Sequence, residues 1–172
     1  VLYRMNSVNE SSEKEVVISC EQAVHNSLSE PFTYTLSEEK NAVCQLADRV
    51  ETYLYEPGAA LLKAGPYRLL SQRYGVKKLH PNSHLYTSSV QVDFPGRCFQ
   101  VTGISGFGKK EVKELLGGLE KANLTVRNFP ASVADLRKKL KLKEGGDVYL
   151  FATTLQNGEK VLIKCLKPAL LS

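Results

Sequence analysis

The chain has 172 residues, of which 42% are hydrophobic and 24% charged, and a net charge of +5, a composition typical of an ordinary globular protein with one or two small domains. No apolar run approaches the roughly 20 residues that a membrane-spanning helix needs, so we predict no such helix in this chain and no membrane among its partners. No basic-then-apolar leader follows Val1, so no secretory signal is visible. Because the initiator Met is missing, we expect a fragment or a processed chain, and we expect the protein's chemistry outside it.

The charge is distributed unevenly along the chain. Residues 1–62 hold four Lys/Arg against ten Asp/Glu, whereas residues 63–172 hold nineteen against eight. Such asymmetry favours a polyanionic partner, above all nucleic acid, for the basic part. Two alternatives stay open: the lysines form a solvated surface without a partner, or they contact a membrane surface.

The four cysteines are too far apart for a zinc site or a redox motif. Cys20, Cys44, Cys98 and Cys165 form no C-x-x-C pair. Isolated cysteines of this kind are usually small buried hydrophobic residues, so we expect a reducing, cytoplasmic setting.

The first half of the chain reads as short strands and helices. Residues 1–15 are polar and resemble a linker, and a weak pattern predicts a helix at 42–50. The glycine and proline at 65 and 66 divide a helical region, with Pro66 suited to the first turn of the second helix. Strands are predicted at 15–20, 32–36, 53–56 and 85–87, and helical segments within 58–74.

The pattern is sharper from residue 97 onward. Strands are predicted at 97–104, 124–127, 147–154 and 160–166, and helices at 109–121 and from 132 onward. Asn157-Gly158 indicates a two-residue hairpin between the last two strands. The order β-α-β-α-β-β predicts a small α/β sandwich with helices on one sheet face, so the fold class is α/β (α+β).

The second of these helices is unusually basic. Ser132 and Asp135 form a capping-box signal, and Val133, Leu136 and Leu140 give one buried stripe. Gly145 and Gly146 supply the positive-φ stop that favours a helix end. Most of the remaining surface is basic: Arg137, Lys138, Lys139, Lys141 and Lys143.

The segment RNFPASVADLRKKLKLKEGGDVYLFATTL, preceded by YLYEPGAALLKAGPYRLL, KKLHPNSHLYTS and DFPGR, resembles the C-terminal part of a bacterial family of class I S-adenosylmethionine-dependent methyltransferases, found notably in Bacteroidetes. In that family a methyltransferase domain precedes a ferredoxin-like segment and a THUMP-like domain. The resemblance assigns residues 53–96 to the ferredoxin-like segment and 97–172 to the THUMP-like domain. Residues 1–52 would be an acidic segment or the link from the catalytic domain.

The resemblance implies a non-catalytic, RNA-binding module that recruits substrate, because THUMP domains help to hold RNA in tRNA thiolases, RNA methyltransferases and pseudouridine synthases. Its partners would be RNA (tRNA or rRNA) and a methyltransferase domain in cis. S-adenosylmethionine is expected in the parent protein's other domain, and we predict no catalytic, cofactor or metal residue in this chain. The alternative is a protein-interaction or scaffolding module that docks on its own methyltransferase domain or on a partner.

The turn at residues 103–110, GISGFGKK, nearly fits a phosphate-binding loop, but Lys110 stands where a magnesium-binding hydroxyl is required. Either the turn is a flexible connection, or its free N–H groups and the two lysine ammonium groups hold one RNA phosphate. The complete set of predicted RNA contacts is Lys109, Lys110, Arg127, Arg137, Lys138, Lys139, Lys141 and Lys143.

Two further groups of residues favour structural roles. Pro81 and Asn82 separate His80 from His84, and no third ligand is evident, so we interpret both histidines as structural rather than metal-binding. Four aromatic residues are candidates for base stacking, but packing is the favoured interpretation for them: Tyr67, Tyr74, Tyr86 and Phe107.

Overall fold

The computed structural model describes residues 3–6, 15–21, 23–24, 27–28 and 30–171. The helices of this part of the chain are α1 (Leu36–Asn41), α2 (Ala59–Ala64), α3 (Tyr67–Tyr74), α4 (Lys109–Leu116) and α5 (Val133–Leu140). Its strands are β1 (Tyr3–Asn6), β2 (Val17–Cys20), β3 (Ala23–Val24), β4 (Ser27–Leu28), β5 (Phe32–Thr35), β6 (Tyr53–Pro57), β7 (Lys77–Lys78), β8 (Tyr86–Ser88), β9 (Gly96–Ser105), β10 (Asn123–Val126), β11 (Tyr149–Thr154) and β12 (Lys160–Leu166).

One seven-stranded sheet in the order β10-β11-β12-β9-β6-β8-β7 runs through both predicted regions. Only β10 and β11 pair in parallel, and the other pairs of this sheet are antiparallel. The predicted order β-α-β-α-β-β and the mixed α/β fold class are both confirmed. The two regions are continuous because β6 pairs with β9, with Glu56 opposite Arg97.

The helices α4 and α5 cover one face of this sheet. Leu116 of α4 and Leu136 of α5 pack with Leu124, Leu150 and Leu162 of the strands. Successive strand residues point to opposite faces, so Phe151 and Ile163 belong to a second core on the other face. Loop residues, rather than helices, cover that face: Ala47, Val50, Leu79 and Leu85.

The described part of residues 1–52 packs against the next region of the chain. In β5 the side chains of Phe32 and Tyr34 are buried, as the predicted alternation requires. The Tyr34 hydroxyl donates a 2.8 Å hydrogen bond to the carbonyl oxygen of Ala64 in α2. Gly65 (φ 82) ends α2 and Pro66 precedes α3, which confirms the predicted break between two helices.

The helix predicted at 42–50 was wrong, because the helix is α1 and lies earlier in the chain. Thr35 and Glu38 form a complete capping box, which begins the helix directly after β5. Leu36 had matched the alternation of the strand, but it is the first helical residue and is 63% exposed. Residues 42–50 are irregular and are held by a bridge between Leu46 and Lys78.

Both basic-region helices end earlier than predicted. Gly117, with φ 55, ends α4 at Leu116 rather than near residue 121. The helix α5 ends at Leu140 because Lys141 itself adopts the left-handed conformation, with φ 55, so Gly145-Gly146 is not its stop. In the predicted stripe Leu136 is buried, but Val133 is 39% exposed.

Candidate nucleic-acid interface

The direction of the strands gives the basic region two distinct ends. Because β10 pairs in parallel with β11, and β12 is antiparallel to both β11 and β9, the strands β9, β10 and β11 all run in the same direction. The helices α4 and α5 follow β9 and β10, so both begin at one end of the sheet, called here the upper end. They finish at the opposite end, called the lower end. Phe107 and Phe129, whose rings are 4.8 Å apart, join the two connections at the upper end.

The eight predicted RNA contacts are divided between these two ends. Lys109, Lys110 and Arg127 lie at the upper end. Arg137, Lys138 and Lys139 lie in the last turn of α5, Lys141 caps that helix, and Lys143 follows it at the lower end. A helix of eight residues is about 12 Å long, so the two groups do not form one compact site.

The glycine turn at the upper end is occupied by acidic side chains. A Cβ atom on Gly106 would lie 2.5 Å from Oε2 of Glu111, so that carboxylate lies over the turn predicted to hold a phosphate. Lys110 forms an ion pair with Glu114, with 4.0 Å between Nζ and Oε1. A cleft of about 420 Å³ beside the turn is lined by Glu111, Glu114 and Glu159, among others. An anion bound at this turn would therefore lie close to these carboxylates.

Arg127 has an internal partner. Its Nη2 lies 3.2 Å from Oε1 of Glu56, and Nη2 of Arg97 lies 3.1 Å from the same oxygen. The Glu56 side chain is only 8% exposed, and its Oε2 is buried without a partner among the described residues. Sequence reasoning missed Glu56, although it is the charged residue of an otherwise apolar strand and follows the buried pair Leu54 and Tyr55.

The lower end, in contrast, exposes cations that have no acidic partner. Lys138, Lys139, Lys141 and Lys143 are exposed, and none of them makes an ion pair within the described part of the chain. Arg137 differs from them, because it is half-buried and its Nη1 donates a 3.2 Å hydrogen bond to the carbonyl oxygen of Ala122.

Lys121 joins this group although the sequence gives no signal for it. Lys121 and Lys143 are partners in a parallel bridge, supported by the bond from Ala122 N to Lys143 O (3.0 Å). The aliphatic chain of Lys121 crosses Gly146, because a Cβ atom placed there would lie 3.2 Å from its Cγ. Twenty-one residues separate the two lysines in the sequence, so only the fold brings them together.

The two histidines that were considered as metal ligands have other contacts. Nδ1 of His80 accepts a hydrogen bond from Asn82 N at 3.0 Å. The ring of His84 stacks on Tyr67 at 3.6 Å, and its burial, together with the nearby Lys78 charge, lowers the His84 pKa to about 4. In the described ranges no group of three or more His, Cys, Asp or Glu side chains is arranged to hold a metal ion.

The aromatic residues pack rather than present free faces. Tyr86 is fully buried, and the partly buried ring of Tyr74 lies 5.5 Å from that of Phe94. Tyr67 and Phe107 are likewise partly buried against the neighbouring rings described above. Among the helices of the described residues, none has the length and apolar character needed to cross a membrane.

Residues 53–95 match a family described as a ferredoxin-like domain, and residues 96–167 match one described as THUMP domain-like. The chain is also similar to the crystal structure of a "putative methyltransferase" from Porphyromonas gingivalis W83, with 38% sequence identity and a TM-score of 0.83 over 90% of this chain. The chain spans 38% of the length of that protein. No curated protein matches it. The resemblance inferred from the sequence is confirmed.

Proposed function

Because this chain belongs to the proteins in which a ferredoxin-like domain is followed by a THUMP domain-like domain, we propose that it is a non-catalytic RNA-binding module of a methyltransferase. Its role is to recruit tRNA or rRNA to a methyltransferase domain in cis. The observation that carries this proposal is the set of exposed lysines at the lower end that make no ion pair among the described residues: Lys138, Lys139, Lys141 and Lys143. Ammonium groups of this kind contact phosphates and release counterions from the RNA.

Under this proposal, S-adenosylmethionine is the methyl donor, and the methyltransferase domain of the parent protein binds it. Among the described residues, the glycine turn at 103–110 lies between a strand and a helix, as a cofactor loop would. It does not fit that cofactor, because the Glu111 carboxylate lies over Gly106 and would repel the carboxylate group of the cofactor. Under this proposal the chain contributes binding and orientation of RNA, and the methyl transfer takes place in the other domain.

The cytoplasm is the compartment that we propose for this function. Cys20, Cys44, Cys98 and Cys165 are all free thiols, and Cys20 and Cys165 are buried. Unpaired cysteines suit a reducing compartment, in which cellular RNA is also available.

A tRNA transcript at low salt provides the test. The variant Lys138→Gln/Lys141→Gln removes two charges but keeps most of each side chain, and we expect it to weaken binding by about tenfold or more. The matched control is Lys40→Gln/Lys160→Gln, which removes two exposed charges away from the lower end, one in α1 and one at the start of β12. Equal affinity of the first variant and the parent chain at low salt would contradict the proposal.

A second candidate function is the protein-interaction or scaffolding module. The observation that favours it is the apolar surface at α1 and the segment after it, where Leu36, Val43 and Leu46 are 63%, 66% and 39% exposed. Hydrogen exchange of the full-length parent protein distinguishes the two functions. Protection of residues 36–46 by the methyltransferase domain without RNA supports docking, whereas protection of residues 136–147 that appears only with RNA supports the first proposal.

A further inference from the structure

We infer that RNA contacts the lower end alone, that Lys121 belongs to this contact surface, and that the surface holds the phosphates of a base-paired RNA stem. This inference rests on the proposed function and narrows it. The contact surface consists of five exposed lysines: Lys121, Lys138, Lys139, Lys141 and Lys143. The upper-end residues Lys109, Lys110 and Arg127 are left out of it.

The two ends differ in how far acidic side chains compensate their positive charges. At the upper end Arg127 is paired with the buried Glu56, and Lys110 with Glu114. Lys109 makes no ion pair among the described residues, but it begins the helix whose first turn carries Glu111. The carboxylates of Glu111 and Glu159 line the adjacent cleft, so a phosphate there would meet like charge. At the lower end the five lysines make no ion pair within the described residues, although Glu120, Glu144 and Asp147 are near them in sequence. A polyanion is therefore attracted to the lower end.

The backbone forces two of these lysines together. In the parallel bridge Lys121 and Lys143 are direct partners, and Lys143 N donates to Glu120 O at 2.9 Å. Like charges on directly opposite residues repel each other, and an anion bound between them would remove that cost. The Lys121 chain is also held against Gly146, which limits the entropy that it loses on binding.

Lys141 likewise places a positive charge at a position whose backbone conformation is unfavourable for lysine. It ends α5 with φ 55, a conformation that favours glycine and costs other residues about 1–2 kcal/mol. Glycine would adopt this conformation without that cost, but the nearest glycines, Gly145 and Gly146, lie four and five positions later, and a lysine stands at the helix end. The Lys141 side chain is exposed at this helix end, where its backbone N–H donates a 3.2 Å hydrogen bond to the carbonyl oxygen of Lys138.

The composition of the lower end favours a base-paired stem over single-stranded RNA. Residues 113–128 and 130–148 contain no aromatic residue, and Tyr149, which begins β11 at this end, packs its partly buried ring 4.9 Å from that of Phe99. The described segments that carry the five lysines therefore offer no free ring on which an unpaired base could stack. The amide of Asn123 is occupied, because its Nδ2 donates to the carbonyl oxygen of Gly146 at 2.8 Å. Ammonium groups without stacking or base-reading partners suit the regular phosphates of an A-form helix.

The experiment compares two labelled RNAs of equal phosphate number, a hairpin and an unstructured oligouridylate, across a salt series. The test variant is Lys121→Gln/Lys143→Gln, which removes two positive charges from the lower end. The matched control is Lys109→Gln/Lys110→Gln, which removes two positive charges from the upper end. We expect the wild-type chain to prefer the hairpin. We expect the test variant to reduce the slope of log affinity against log salt by about 2, and the control to leave it unchanged. Unchanged thermal melting of both variants shows that they are folded.

The outcomes separate this inference from the function on which it rests. A wild-type chain that binds neither RNA contradicts the proposed function and favours a protein partner. A wild-type chain that binds RNA but loses affinity equally in the two double variants, or only in the control, overturns the assignment to the lower end. Preference for the oligouridylate overturns the assignment of a base-paired stem, even where the test variant binds weakly.

Discussion

The contact between Arg127 and Glu56 leads to a prediction that separates stability from RNA binding. Arg127→Gln removes a guanidinium group whose Nη2 lies 3.2 Å from a buried carboxylate oxygen. Charge-assisted hydrogen bonds of buried groups contribute about 1.5–3 kcal/mol to stability. Because 39% of the Arg127 side chain is exposed, screening reduces this value, and Arg97 still neutralises part of the Glu56 charge. We therefore expect the free energy of unfolding to fall by about 1–2 kcal/mol.

Urea unfolding and thermal melting measure this change. For a chain of this size the expected loss corresponds to a decrease in Tm of about 2–8 °C. Lys110→Gln is the matched control, because it breaks the exposed ion pair with Glu114 and should leave stability nearly unchanged. A double-mutant cycle with Glu56→Gln isolates the interaction, and we expect a coupling energy of about 0.5–1.5 kcal/mol between the two sites.

The same variant also tests the position of the RNA surface. If Arg127 acts only as the partner of Glu56, the folded Arg127→Gln chain binds a hairpin RNA with wild-type affinity. Strict additivity of the two substitutions, within about 0.3 kcal/mol, would refute the argument from the buried carboxylate. A loss of RNA affinity without loss of stability would show instead that Arg127 contacts RNA.

Three further predictions concern single residues. Burial holds the His84 pKa at about 4, against 6.5 in the unfolded chain, so its contribution to stability is complete above pH 6.5 and is lost as the pH falls toward 4. Urea unfolding across this range should show a shallower decline for His84→Asn, and parallel curves would contradict the assignment. Gly146→Ala and its control Gly158→Ala both introduce a Cβ at φ above 80°, so each should lose about 1–2 kcal/mol of stability, but only the former displaces Lys121 and should weaken hairpin binding. Burial raises the Cys165 pKa to about 12, so mass spectrometry should find this thiol unalkylated by iodoacetamide in the native protein, and rapid labelling would disprove its burial.

Local signals were sufficient for most of the secondary structure. The glycine and proline at 65 and 66, the Asn157-Gly158 turn and the alternation of apolar residues each act over a few positions, so the sequence alone predicted the break between α2 and α3 and the final hairpin. The errors occurred where two local signals compete. At Leu36 the strand alternation and the Thr35 capping box overlap. The helix forms there because Thr35 and Glu38 make both hydrogen bonds of the capping box, which begins the helix at Leu36.

The sequence by itself determined the mixed fold class, the family resemblance and the concentration of basic residues between 137 and 143. Only the tertiary structure decided which of these charges are free. The pairing of Arg127 with Glu56 spans 71 positions, and the bridge between Lys121 and Lys143 depends on how β10 and the segment after α5 come together. The physical reason is that the environment of a charge is set by its neighbours in space, which composition and periodicity do not contain.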